Sequence, residues 1–100
     1  MSDVADVMQM RMALVEKLAA LNSKQLQNTQ TLSGIEVELE SCIEEIEQSG
    51  ESEAVLARRA DLEARYRAVA AACVDCDREL DRLTDQLNAL DQQVQAGPVP

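Results

Sequence analysis

The stretch "IEQSGESEAV", residues 46–55, holds the strongest punctuation inside a chain of 100 residues. Gly50 tolerates the left-handed backbone in which helices commonly end. Ser49 or Ser52 supplies a hydroxyl suited to capping the start of a following helix. The sequence on either side is rich in Ala, Leu, Glu, Asp, Gln and Arg, and proline occurs only at positions 98 and 100. That is the composition of long helices. Gly97 followed by Pro98 is a helix stop. The reading is one domain: a helix over about 3–48, a turn at 49–52, a helix over about 53–96 and a short tail at 97–100. A weaker interruption lies at "NTQTLSG", residues 28–34, where Ser33 and Gly34 cost roughly 1 kcal/mol or more of helix propensity.

Periodicity carries the first helix through that interruption. Alternating steps of three and four pick out Val4, Val7, Arg11, Leu14, Leu18, Leu21, Gln25, Asn28, Leu32, Ile35, Leu39, Cys42 and Ile46, of which ten of thirteen are apolar. In the second half the same steps pick out Val55, Arg59, Leu62, Tyr66, Val69, Cys73, Cys76, Leu80, Leu83, Leu87, Leu90 and Val94. Apolar residues repeating at this spacing mark the a and d seam of a coiled coil. The two seams mirror each other across the turn. Partner numbers always total 101, as in Ile46 with Val55, Leu39 with Leu62, and Leu21 with Leu80. The flanking positions Glu45–Arg58, Glu38–Arg65 and Lys24–Glu79 pair opposite charges in a matching register. Such exposed pairs contribute only a few tenths of a kcal/mol each, so they select register more than they stabilise. The fold class is all-α, an antiparallel two-helix coiled-coil hairpin.

Composition excludes several kinds of function. Nine Lys and Arg against nineteen Asp and Glu give a formal net charge of −10, which repels nucleic-acid phosphates and anionic membranes. Tyr66 is the only aromatic residue, so no platform exists for stacking bases. No apolar run approaches the roughly 20 residues of a membrane span, and "MSDVADVM" does not read as a signal peptide. Three cysteines without a secretion signal fit a reducing, cytoplasmic setting. The chain has no histidine, no phosphate-binding glycine loop and no nucleophile elbow, so no enzyme is expected.

The C-x-x-C pair Cys73–Cys76 is the one stretch that invites a metal or redox reading. Redox thiols sit at helix N-termini, where the dipole lowers their pKa, whereas these lie deep in a helix. A structural zinc takes four ligands. The third thiol, Cys42, lies about 14 residues from Asn28, roughly 20 Å along the helix. Only a dimer joining two such pairs completes a four-thiol site. The two cysteines instead occupy successive seam positions opposite Asn28 and Gln25, where thiols serve as small apolar residues. No catalytic residue, metal or cofactor is expected.

Gln25 and Asn28, with neighbouring Asn22, form a polar interruption that reads as a register-setting layer. Arg11 and Arg59 stand near helix ends, where long side chains reach water. The eight carboxylates between Glu36 and Glu53 point in several directions around the turn and read as a solvated tip, or as a docking surface for a basic partner.

A second stripe is left over. Ala5, Met8, Met12, Val15, Ala19 and Leu26 occupy b and e positions, which a finished two-helix coil leaves polar. These residues, Met8, Met12, Val15, Ala19 and Leu26 above all, are expected to bind a partner, with methionine suiting an adaptable interface. A third or fourth helix, from a second copy or from another protein, would cover them and complete a helical bundle. The implied function is non-enzymatic: a coiled-coil scaffold or adaptor subunit, or a small helical chaperone. Its partners are protein helices or a homo-oligomer, with no nucleic acid, membrane or small-molecule substrate. The alternative is a thiol- or zinc-responsive dimer using Cys73 and Cys76.

Overall fold

A computed structural model describes residues 4–95. Helix α1 spans Val4–Ser49 and helix α2 spans Glu53–Gln95, and no strand occurs among the described residues. Position 3, position 96 and the tail 97–100, with its Gly97–Pro98 stop, lie outside them.

The reversal is built from two caps. Gly50 takes a left-handed φ of 81° and donates its N–H to the Ile46 carbonyl at 2.8 Å, which satisfies a carbonyl orphaned at the end of α1. Ser52 opens α2. Its hydroxyl accepts the Val55 N–H at 3.2 Å, and its carbonyl accepts the Leu56 N–H at 3.0 Å. One orphan donor of α2 is thereby satisfied by a side chain.

Helix α1 passes through Ser33 and Gly34 without interruption. The seam explains this, because Leu32, Ile35 and Leu39 all turn away from solvent across that step. Burying such side chains contributes more than the roughly 1 kcal/mol that glycine costs. Thr29 and Thr31 bond back to the carbonyls of Gln25 and Gln27, each at 2.9 Å, so these hydroxyls also stay within the helix.

The described residues form two compact units, 25–75 around the turn and 4–24 with 76–95. In the turn unit the core is Ile35, Cys42, Val55 and Leu62, with Leu39, Ile46, Tyr66 and Val69 packed against it. Cys42 is fully buried there. Polar contacts around that core run antiparallel: the Tyr66 hydroxyl donates to Glu36 Oε1 at 3.3 Å, and Arg58 Nη1 lies 3.7 Å from Glu45 Oε2. In the terminal unit the buried residues are Cys76, Leu83 and Leu90. Arg11 closes that unit by donating from Nε to Asp91 Oδ1 at 2.8 Å.

Burial follows the a and d positions closely. Every described residue of α1 that escapes full exposure belongs to its seam, and among seam positions only Val4 is exposed. In α2 the exposed seam positions are Arg59 and Val94, while Glu63, Ala70, Ala72, Glu79 and Asp91 are half-buried beside the seam. Arg59 turns its guanidinium to Glu63 of its own helix at 3.0 Å.

Gly34 within α1 and Gly50 in the turn are expected to respond oppositely to alanine. A Cβ on either one meets nothing within 4 Å, so only backbone preference distinguishes them. Gly34→Ala removes a helix-interior glycine and is expected to raise stability by about 1 kcal/mol. Gly50→Ala forces a side chain into the left-handed region and is expected to lower it by about 1–2 kcal/mol. Urea unfolding followed by circular dichroism measures both. Shifts of the same sign would contradict the account of α1 and its cap.

Candidate partner-binding face

The stripe beside the α1 seam is fully laid out in the terminal unit. Ala5, Met8, Met12, Val15 and Ala19 are all exposed, with 45% of Met8 and 61% of Met12 accessible and 42% of Val15. Their position follows from the helix: each stands one residue C-terminal to a seam residue and is therefore rotated about 100° from the buried line. The stripe is also free of charge. At the b and e positions from Ala5 to Asn22 the chain places Ala5, Met8, Met12, Val15, Ala19 and Asn22, with no acid or base among them. Leu26 continues the pattern within the turn unit and is 59% exposed.

Across the seam, α2 presents a different edge. Its corresponding e and b positions in the terminal unit are Asp77, Asp81, Thr84, Asn88 and Asp91, then Gln95. Asp91 is held by Arg11. An apolar ridge on one helix thus runs beside a polar, acidic edge on the other.

Two further apolar surfaces escaped sequence reasoning. On the opposite flank of the terminal unit, an open groove of about 610 Å³ is lined by Met10, Ala13, Leu14 and Lys17 of α1 and by Gln86, Ala89, Leu90 and Gln93 of α2. The available signal was the pair of small residues Ala13 and Ala89, which line it beside Leu14 and Leu90. In the turn unit, Ile43 and Leu56 are 46% and 40% exposed, and both stand at e positions. Their type and heptad position were the available signal.

The polar interruption resolves into specific bonds. Gln25 Nε2 donates to the Cys73 carbonyl at 2.9 Å, and Asn28 Nδ2 donates to Gln25 Oε1 at 3.4 Å. Gln25 and Asn28 are both half-buried, whereas Asn22 is exposed beside the seam. Cys73 is half-buried and Cys76 buried, and in the terminal unit the Cys76 thiol donates to the Leu21 carbonyl at 3.4 Å. All three cysteines are free. Among the described residues no group of three or more Cys, Asp, Glu or His side chains is placed to hold a metal ion.

The flanking charges divide. Glu45–Arg58 forms across the hairpin, but Glu79 turns to Arg82 on its own helix, with Arg82 Nε 2.9 Å from Glu79 Oε2. That bond, and the guanidinium charge behind it, hold the Glu79 carboxyl below its ordinary pKa and raise that of Arg82. A neighbour three residues along the same helix is always within reach, whereas a cross-helix pair must order two long side chains.

The polar layer generates a clear expectation for stability. Polar groups at a and d positions fix register but cost stability. The double variant Gln25→Leu/Asn28→Leu is therefore expected to unfold at higher urea concentration, a gain of about 1–2 kcal/mol. The Cys73 carbonyl loses only a second bond, since it stays within the α2 ladder. A drop in the midpoint would show that the Gln25 bond outweighs apolar packing there.

No protein-family model, curated protein or solved structure matches this chain.

Proposed function

We propose that the chain is a non-enzymatic protein-interaction module, a coiled-coil scaffold or adaptor subunit or a small helical chaperone, whose working surface is the α1 stripe. The observation that carries this reading is the run of exposed, uncharged side chains from Ala5 to Ala19 with Met8, Met12 and Val15 at its centre. Soluble surfaces rarely leave a contiguous apolar ridge without use. Among the described residues the terminal unit buries Cys76, Leu83 and Leu90 alone, so a further helix laid on the stripe adds substantially to its apolar burial and completes a bundle.

Other features agree. The chain offers no histidine, and so no Ser–His or Cys–His couple. Its acidic balance disfavours nucleic acid and anionic lipid, and no described helix is long and apolar enough to cross a membrane. Three free thiols suit a reducing compartment, and the cytoplasm is the simplest location. The thiol- or zinc-responsive alternative draws no support from the buried Cys76, whose thiol is already engaged with a carbonyl.

The test is Met12→Glu/Val15→Glu, which leaves every a and d residue in place. Helicity by circular dichroism is expected to persist, because both side chains point away from the seam. Association, read as mass by light scattering and as recovery of native partners by affinity purification, is expected to fall at least tenfold. Two carboxylates would have to be desolvated there without counter-ions. A wild type that is monomeric, with partners that still bind the double variant, would reduce the stripe to ordinary surface.

A further inference from the structure

The open groove on the other flank of the terminal unit differs from the α1 stripe in its charge. Among the described residues that line it, Lys17 alone is charged. Lys24 stands seven residues further along the same edge of α1, about 10 Å by helical rise. We infer that this groove takes an amphipathic helix of another protein, with carboxylates one heptad apart on the edge that faces Lys17 and Lys24. The groove is a separate surface, so the inference goes beyond the stripe reading and does not rest on it.

Shape favours a helix as the occupant. Ala13 of α1 and Ala89 of α2 line the groove, and small side chains let a third helix approach closely. Leu14, Leu90 and Met10 offer it apolar contact, and Gln86 and Gln93 leave the α2 side uncharged. An open groove does not enclose a small molecule, whose sites bury most of the ligand, but it matches the way amphipathic helices dock.

Charge selects the edge of that helix. The c and g positions over 10–24 and 79–93 hold three bases, Lys17, Lys24 and Arg82, and one acid, Glu79. That carboxylate is engaged on its own helix, with Arg82 Nε at 2.9 Å. The Arg82 bond holds the Glu79 carboxyl below its ordinary pKa, and the Lys17 charge adds to the effect. On α1 no Asp or Glu stands three or four residues from either lysine, the spacing at which helix neighbours meet. A chain of net charge −10 thus carries a local excess of positive charge beside this groove. Carboxylates on an incoming edge are attracted there, and lysines are repelled. A two-fold pair of grooves would instead bring a second set of the same three bases to one desolvated contact.

The experiment titrates the full chain with two synthetic helical peptides of about 21 residues, three heptads long. They share one leucine stripe and differ at two positions, one heptad apart on one edge, which hold glutamate or lysine. The glutamate peptide is expected to bind at least about threefold more tightly, a preference that falls as salt rises. The overall charge of the chain favours the lysine peptide, so only a local basic edge yields this order. Lys17→Gln/Lys24→Gln is expected to remove the preference while helicity by circular dichroism is kept. Met10→Gln/Ala89→Gln leaves every a and d residue in place and is expected to weaken the glutamate peptide about fivefold or more. Equal affinities, or tighter binding of the lysine peptide, overturn the inference. So does the absence of binding by either peptide up to about 1 mM. A preference lost in Met12→Gln/Val15→Gln but kept in Met10→Gln/Ala89→Gln puts the peptide on the stripe, which sinks this inference and keeps the stripe reading. A wild type that sediments as a dimer, dissociated by Met10→Gln/Ala89→Gln, makes a second copy the occupant and also overturns it. Binding and association that ignore both pairs of substitutions sink the two readings together.

Discussion

The left-handed turn at Gly50 is the constraint from which the remaining geometry follows. Its N–H reaches back to Ile46, and the Ser52 cap begins α2 two residues later, so the distance between the last residue of one seam and the first of the next is fixed. Once Ile46 is set opposite Val55, helical periodicity assigns every later partner. A shift of one residue would rotate both seams by about 100° and place charged positions inside. The caps are local hydrogen bonds of modest individual worth, but they choose among registers that the apolar seam alone would separate less sharply.

The seam so aligned is uneven. Near the turn it is filled by Ile35, Cys42, Val55 and Leu62 with four further side chains against them. At Gln25 and Asn28 its side chains bond to a backbone carbonyl and to each other instead of packing as hydrocarbon. Small and polar side chains there supply less apolar contact than the leucines and isoleucines near the turn.

Much of this was legible because the seam obeys a single rule. Leu14, Ile35, Leu62 and Leu83 lose exposure for the reason their spacing gives, and the persistence of α1 through Gly34 follows from the unbroken phase. The side-chain details were less so. Glu79 has Arg82 three residues away and Lys24 across the hairpin, and proximity along one helix wins over a register argument. The groove beside Leu14 and Leu90 is lined by side chains outside the seam, among them Ala13 and Ala89, which a seam pattern does not describe. The stripe was visible as misplaced hydrophobicity.

The mirror arrangement also orders events in time. The Tyr66–Glu36 contact spans 30 residues and Gln25–Cys73 spans 48, while Cys76–Leu21 spans 55 and Arg11–Asp91 spans 80. Loop closure makes the contacts beside the turn the cheapest to form, and each further turn then closes from an already paired end. During synthesis the constraint is harsher, since residues 4–24 leave the ribosome well before their partners at 76–95. At about 5–20 residues per second, the 80 residues between Arg11 and Asp91 take roughly 4–16 s to make. Through that interval the N-terminal segment carries its seam and its stripe together, with no α2 to cover either. A helix that engages it early is thus offered two adjacent apolar faces where the finished hairpin offers one.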